Sequence, residues 1–181
     1  MALEYLRVVM VRPHLRDIPR FPLPEGYRLR TYRPGDKDAW LAIWAGDTWS
    51  EVTGKTFDSA FGADLPGMEQ RCLFLVAPGG RDVGTITVWD ETDYQGMRWG
   101  RIHWVALAPD QRGKGLSRCL MTAAMHLMGE LGYQRAILDT QVPRLNAIRT
   151  YLRFGFVPDL TASGAARAWA IVRQHICHPA L

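Results

Sequence analysis

The sequence predicts a mixed α/β fold in which a central, mostly antiparallel sheet is flanked by helices. Residues 27–32 alternate large and polar side chains, as a half-buried strand does. Residues 72–77 and 83–89 are two further strand-like runs, and Pro78-Gly79-Gly80 between them predicts a hairpin turn. Apolar residues recur at helical spacing between Leu116 and Leu131. Such a mixture of strands and helices in one short chain is typical of an α/β sandwich.

The other elements are predicted from the same periodicities. We expect helices around 40–44, 59–61, 114–131 and 147–152, with Gly132 and Gly155 ending the last two. We expect further strands at 101–108, 136–138, 156–157 and 168–172, and a loop over 93–100, where Gly96 and Gly100 stand. Residues 13–25 hold four prolines, which remove backbone donors. We therefore predict an N-terminal extended arm over 1–25 and a single domain over 26–181.

Composition argues against several classes of protein. The chain has 181 residues, 48% of them hydrophobic, and a net charge of +4 from scattered basic residues, which argues against a nucleic-acid interface. Three cysteines at long spacings argue against a disulfide framework and favour a reduced, cytoplasmic location. No run approaches the ~20 apolar residues that cross a bilayer, so we expect no membrane partner. His175, Cys177 and His178 are too crowded for a metal site, and we expect no metal.

The informative stretch is the glycine-rich segment Arg112-Gly113-Lys114-Gly115-Leu116-Ser117, which joins a strand to an amphipathic helix. The first amides of a helix have no partner inside the helix, and glycine lets an anion approach them closely. Arg112 and Lys114 add positive charge. These features predict a cradle for a pyrophosphate. The Walker pattern fails because Gly115 follows Gly113-Lys114, and the dinucleotide fingerprint fails because Arg118 stands at its third glycine.

The turn resembles that of the GNAT superfamily of N-acetyltransferases, which reads Arg/Gln-x-x-Gly-x-Gly/Ala. Residues 112–117 match it, except that Ser117 replaces the last small residue. The resemblance implies a GNAT-like fold, acetyl-CoA as cosubstrate and an amine acceptor. It also implies that backbone groups at Leu107 pair with the pantetheine arm as an added strand would. The implied cofactor-binding residues are Leu107, Arg112, Gly113, Lys114, Gly115, Leu116, Ser117 and Asn146.

A second match lies downstream, where residues 147–156 resemble the family segment Ala-x-x-Leu-Tyr-x-Lys-x-Gly-Phe. Tyr151 falls on the family's tyrosine, which lies near the cofactor sulfur, and we predict that it is the catalytic acid. The family's asparagine stands three residues before the alanine. This chain has Arg144 there, and Asn146 stands directly before Ala147.

The chemistry also requires a proton acceptor, because an amine with a pKa near ~10.4 is mostly protonated at neutral pH. We predict His103 as the base, since strand alternation would place it on the face of Leu107 and imidazole titrates near ~6.5. Asp90 and Glu91, at the end of the preceding strand, remain alternatives.

Three functions stay open at this point. The first is an N-acetyltransferase that moves an acetyl group from acetyl-CoA to a small-molecule or peptide amine, as a possible homodimer. The second is a coenzyme A-binding module without activity. The third is a nucleic-acid-binding protein, whose binding would depend steeply on salt.

Overall fold

A computed structural model describes residues 3–49 and 51–181. The strands in these residues are β1 (Arg7–Arg12), β2 (Arg28–Thr31), β3 (Cys72–Val76), β4 (Asp82–Tyr94), β5 (Met97–Leu107), β6 (Ala136–Gln141) and β7 (Val157–Pro158). The helices are α1 (Lys37–Trp44), α2 (Gly54–Phe61), α3 (Leu65–Arg71), α4 (Leu116–Glu130), α5 (Leu145–Arg153) and α6 (Ala165–His175), with a 3-10 helix at Pro109–Gln111.

The strands form a mostly antiparallel sheet in the order β2-β3-β4-β5-β6-β1-β7. β1 pairs antiparallel with β6 along its whole length, from Arg7 opposite Gln141 to Arg12 opposite Ala136. β5 and β6 are parallel, and their pairing covers Gly100 and Arg101 of β5. The predicted mixed α/β class and mostly antiparallel sheet are confirmed.

The chain forms two compact units. The first comprises the residues up to Pro19, Asp90–Arg101 and Met128–Leu181, and the second comprises Arg20–Trp89 and Ile102–Leu127. β4, β5 and α4 each contribute residues to both units. None of the helices in the described residues is both long and apolar enough to span a bilayer.

The first unit is built around β1. Val8, Val9 and Met10 are almost completely buried, and Val9 packs in a cluster with Trp99 and Ile137. Arg12 is also buried, and its guanidinium donates to the carbonyls of His14 and other residues of this unit. Backbone carbonyls thus satisfy a charge that would otherwise be costly to bury.

The second unit has an aromatic core centred on Trp40. The Trp40 ring lies 5.3 Å from Phe57, 5.7 Å from Phe61 and 5.3 Å from Trp104, each in an edge-to-face arrangement. Such ring pairs contribute about 0.5–1.5 kcal/mol each beyond the buried area. Because Trp40 lies on α1 and Trp104 on β5, these contacts fix α1 and α2 against the strand that leads into the glycine turn.

Several predicted elements differ from the structure. The run 168–172 is not a strand but part of α6, because Ala165, Ala168, Trp169 and Val172 are buried at helical spacing. Residues 93–100 are not a loop but the tip of a hairpin, since Gln95 and Gly96 have φ of +55° and +67° and form a two-residue turn.

The third difference lies within the expected N-terminal arm, where the structure places strand β1. The boundary proposed at residue 25 stays a prediction. Where a helix was expected only around 59–61, α2 runs from Gly54, and α3 follows as an element that periodicity did not indicate.

We predict that Gly84→Ala lowers the free energy of unfolding by about 1–3 kcal/mol because it overpacks the second unit. A β-carbon at Gly84 would lie 2.7 Å from Leu107 Cδ2 and 3.2 Å from Leu120 Cδ1. Gly129→Ala in α4 is the matched control, since a β-carbon there meets no atom within 4 Å. Helix propensity makes that variant neutral or up to about 1 kcal/mol more stable. Denaturant titration measures both, and equal stabilities would contradict the packing argument.

Candidate cofactor turn and catalytic residues

The glycine turn follows directly from the end of β5. The amide of Ala108 donates to the carbonyl of Val83 at 2.8 Å, which anchors the chain to β4 before the 3-10 helix begins. Gly113 and Gly115 then adopt φ of +78° and +77°. Other residues pay a steric penalty in this left-handed region, so the backbone path of the turn depends on glycine at both positions.

The backbone amides of the turn are available to a ligand. Among the described residues, no protein group accepts a hydrogen bond from the N–H groups of residues 113–117. Gly113 is exposed, and a β-carbon on it would meet no atom within 4 Å. Leu116 is buried and Ser117 half-buried in the first turn of α4, which orients the helix so that its positive end opens at the glycines. The residues therefore fit a bound diphosphate.

The charged side chains of the turn are engaged differently from expectation. The guanidinium of Arg112 donates from Nε to the Leu107 carbonyl at 3.1 Å and from Nη2 to the Gly46 carbonyl at 2.9 Å. Lys114 Nζ donates to Gln111 Oε1 at 2.9 Å. Arg112 thus braces the turn against β5 and the segment after α1, which sequence reasoning did not foresee.

Arg118 is a residue of this region that sequence reasoning did not place in the site. It follows the motif by one position, and its guanidinium lies over Gly115. The signal that could have found it is helical spacing, because residues three apart on a helix are neighbours.

His103 lies on β5, two residues after Arg101, where the pairing of that strand with β6 ends. The strand does not alternate regularly here, since Trp104 has a φ of +50° and the rings of His103 and Trp104 lie 5.1 Å apart. Consecutive side chains of a regular strand point to opposite faces. The alternation that would place His103 on the face of Leu107 is therefore interrupted at Trp104, and the role of His103 as base stays a prediction.

The carboxylates that compete with His103 belong to the first unit and are both held by arginines. Asp90 accepts from Arg98 Nε at 2.9 Å, and Glu91 accepts from Arg101 Nη2 at 2.6 Å. Both carboxylates are therefore already engaged by cationic side chains of their own unit.

Tyr151 lies on α5 in the first unit and is 8% exposed. Its ring packs edge-to-face on Phe156 at 6.2 Å. Burial raises the pKa of its phenol to about 12, with Arg144 lowering the pKa and Asp139 raising it as smaller contributions. Tyr151 is therefore protonated at neutral pH.

Asn146 is exposed at the start of α5. Its Oδ1 accepts from Arg149 Nη1 at 3.2 Å, and Arg149 also donates to the carbonyl of His175 at 2.9 Å. These contacts occupy Asn146 on the surface of the first unit, and its role toward the cofactor stays a prediction. Across residues 3–49 and 51–181, no three histidine, cysteine or acidic side chains are grouped closely enough to hold a metal ion.

Comparison with known families assigns residues 38–156 to the Acetyltransferase (GNAT) family. The mycothiol acetyltransferase of Streptomyces bingchenggensis is 31% identical over 160 residues, which cover 85% of this chain and 50% of that protein. That of Thermobispora bispora is 30% identical over 153 residues, with coverage of 81% and 52%. The chain spans about half the length of the curated relatives that it matches.

Solved structures agree with this fold. The GCN5-related N-acetyltransferase of Sphaerobacter thermophilus superposes with a TM-score of 0.68 at 25% identity. The match covers 86% of this chain and 50% of the Sphaerobacter chain. A GNAT-family acetyltransferase of Colwellia psychrerythraea gives a TM-score of 0.65 at 12% identity, with coverage of 87% and 55%, and so supports the fold alone. The match to the family covers residues 38–156, which is well over half of the chain. This chain therefore belongs to the GNAT family of acetyltransferases.

Proposed function

We propose that the protein is an N-acetyltransferase that moves an acetyl group from acetyl-CoA to an amine by direct attack on the thioester. The observation that carries the proposal is the run of amides at 113–117, which have no acceptor among the described residues and open at the positive end of α4. Backbone amides at a helix terminus bind a diphosphate through hydrogen bonds and the helix dipole together. Family membership supports the same donor.

The reaction sets two demands on the protein. The amine must lose a proton before it attacks the carbonyl carbon, and the sulfur must leave with its negative charge stabilised. A base that titrates near neutral pH meets the first demand. A protonated hydrogen-bond donor meets the second.

We assign the second role to Tyr151. A thiol has a pKa near ~8.5, well below the value of about 12 to which burial raises the pKa of the Tyr151 phenol. Complete proton transfer from phenol to thiolate is therefore uphill. Tyr151 acts instead by donating a hydrogen bond that stabilises the thiolate as it leaves.

We assign the role of base to His103, and the ion pairs of Asp90 and Glu91 with arginines support this choice over the carboxylates. The proposed acceptor is a small-molecule or peptide amine. Because the curated relatives are mycothiol acetyltransferases, the amine acceptor of those enzymes is the first compound to test. We place the enzyme in the cytoplasm, which its three free cysteines favour, and propose a homodimer from the family resemblance.

We predict that Tyr151→Phe lowers kcat by about tenfold or more, because the thiolate loses its hydrogen-bond donor, and leaves the Kd for acetyl-CoA nearly unchanged. The measurement follows coenzyme A release over a panel of mycothiol-type amines, amino sugars, amino acids and peptides. Wild-type protein that binds acetyl-CoA but releases no coenzyme A with any amine would instead favour a binding module. An unaltered kcat in the variant would remove Tyr151 from the mechanism.

Tyr151 also yields a prediction about pH. Since the phenol of the unfolded chain ionises near ~10, the stabilisation from keeping Tyr151 neutral is complete below that pH. It is lost as the pH rises toward about 12, the value of the folded state. Spectrophotometric titration of tyrosinate should show that Tyr151→Phe loses amplitude in the highest part of the curve. A loss near ~10, where exposed tyrosines titrate, would contradict the burial.

The third test concerns the base. We expect His103→Gln to abolish or displace the acidic limb of the pH profile of kcat/KM, because glutamine does not titrate. Asp90→Asn serves as the matched variant for a competing carboxylate and should keep the acidic limb. If the limb survives in His103→Gln and is lost in Asp90→Asn, the assignment is reversed.

A further inference from the structure

Arginines precede and follow the glycine turn, and the structure gives them different surroundings. Arg112 uses its guanidinium to donate to the carbonyls of Leu107 and Gly46, at 3.1 and 2.9 Å. Gly46 is also packed closely on Pro109, because a β-carbon there would lie 2.1 Å from Pro109 Cγ. Arg112 is therefore part of a brace that ties the end of β5 to the segment after α1, and two of the five N–H donors of its guanidinium are already used.

Arg118 has the opposite character. Its Nη2 lies 2.6 Å, and its Cζ 3.4 Å, from the position that a β-carbon on Gly115 would occupy, so the guanidinium covers the second glycine of the turn. Its side chain is half-buried, and among the described residues no carboxylate lies within ion-pair distance of it. Its positive charge stands beside the open amides without a counter-ion in the part of the chain that the structure describes.

The N-terminal segment holds Arg118 in this position. The Arg118 Cζ lies 5.0 Å from the centroid of the Phe21 ring. Phe21 is fixed on α4, since its amide donates to Thr122 Oγ1 at 3.1 Å, and the next carbonyl, of Pro22, accepts from Cys119 Sγ at 3.2 Å. A cation over an aromatic ring is attracted by the negative face of the ring, which restricts the orientations open to the guanidinium.

We propose that Arg118, held over Gly115 by Phe21, is the side chain that binds the pyrophosphate of acetyl-CoA, and that Arg112 is a positioning residue that braces the turn. The inference rests on the proposed function, because it concerns the same cofactor. Guanidinium suits this role, since its planar fork donates two parallel hydrogen bonds to phosphate oxygens. Phe21 is then a second positioning residue, which acts through Arg118.

The test measures the Kd of acetyl-CoA by calorimetry for wild type, Arg118→Gln, Arg112→Gln and Phe21→Leu. Arg173→Gln is the control for net charge, since it removes the same charge from an exposed position of α6. Arg118→Gln should weaken binding by about tenfold or more, the loss expected for a charged hydrogen bond. Arg112→Gln keeps a side-chain N–H donor for the brace and should weaken binding by less, while Arg173→Gln should match wild type.

Two further arms make the assignment specific. S-acetylpantetheine lacks the pyrophosphate and the phosphoadenosine, so its KM as acetyl donor should be the same for Arg118→Gln and wild type. Phe21→Leu alone should weaken acetyl-CoA binding about threefold. In the double variant with Arg118→Gln it should cause no further loss of affinity, because the two residues act as one unit. Melting temperatures of all variants check that each is folded.

Equal affinities of Arg118→Gln and wild type for acetyl-CoA would overturn the inference, as would a larger loss in Arg112→Gln than in Arg118→Gln. A Phe21→Leu effect that persists in the double variant would overturn the role of Phe21. Wild-type protein that fails to bind acetyl-CoA at all would overturn the proposed function itself, and the inference would fall with it. If the wild type binds acetyl-CoA and the variants bind it with the same Kd, the inference is refuted and the proposed function is not.

Discussion

Unpaired backbone amides at the start of α4 are the feature on which the proposed chemistry depends. Two glycines with left-handed φ turn the chain so that these N–H groups meet no acceptor among the described residues. Such a turn is costly for the protein alone, because donors in the first turn of a helix need a partner. Solvent or an anionic ligand can supply it. The same amides explain why the short segment 112–117 carries most of the sequence evidence for function.

The rest of the second unit holds this turn in place. The aromatic core around Trp40 fixes α1 and α2 against β5, and the brace from Arg112 joins the end of β5 to Gly46. A second set of hydrogen bonds converges on Gln111, which accepts from Tyr27 Oη at 2.8 Å and from Lys114 Nζ at 2.9 Å. The turn is thus supported from several sides while its own amides stay open, which is the arrangement that preorganised anion binding requires.

Sequence reasoning predicted the elements whose periodicity is strong. The alternating strands around Arg28–Thr31 and Cys72–Val76 and the amphipathic helix α4 lie where the pattern placed them. It failed at α6, where an alanine-rich helix of mixed polarity resembles a buried strand over five residues. It also failed at the β4–β5 hairpin, where the turn depends on left-handed φ at Gln95 as well as Gly96, and glutamine is not a typical turn residue.

The candidate site was predictable only as far as its backbone. Glycines at 113 and 115 indicate an anion-binding turn from the local sequence alone, because the prediction depends only on their backbone conformation. Side-chain roles depend on neighbours that are distant in sequence. The partner of Arg112 is Gly46 and the partner of Arg118 is Phe21, and neither pairing leaves a local pattern. The positive φ of Trp104, which breaks the alternation next to His103, is equally invisible in a strand of large residues.

The most direct test of the account is an NMR titration of ¹⁵N-labelled protein with coenzyme A, followed at the backbone amides. We predict that the amide resonances of Gly113, Gly115 and the first residues of α4 shift downfield, and that these amide protons exchange more slowly with solvent, since each gains a phosphate acceptor. Saturable binding that leaves these amides unmoved, with the largest shifts elsewhere in the chain, would contradict it.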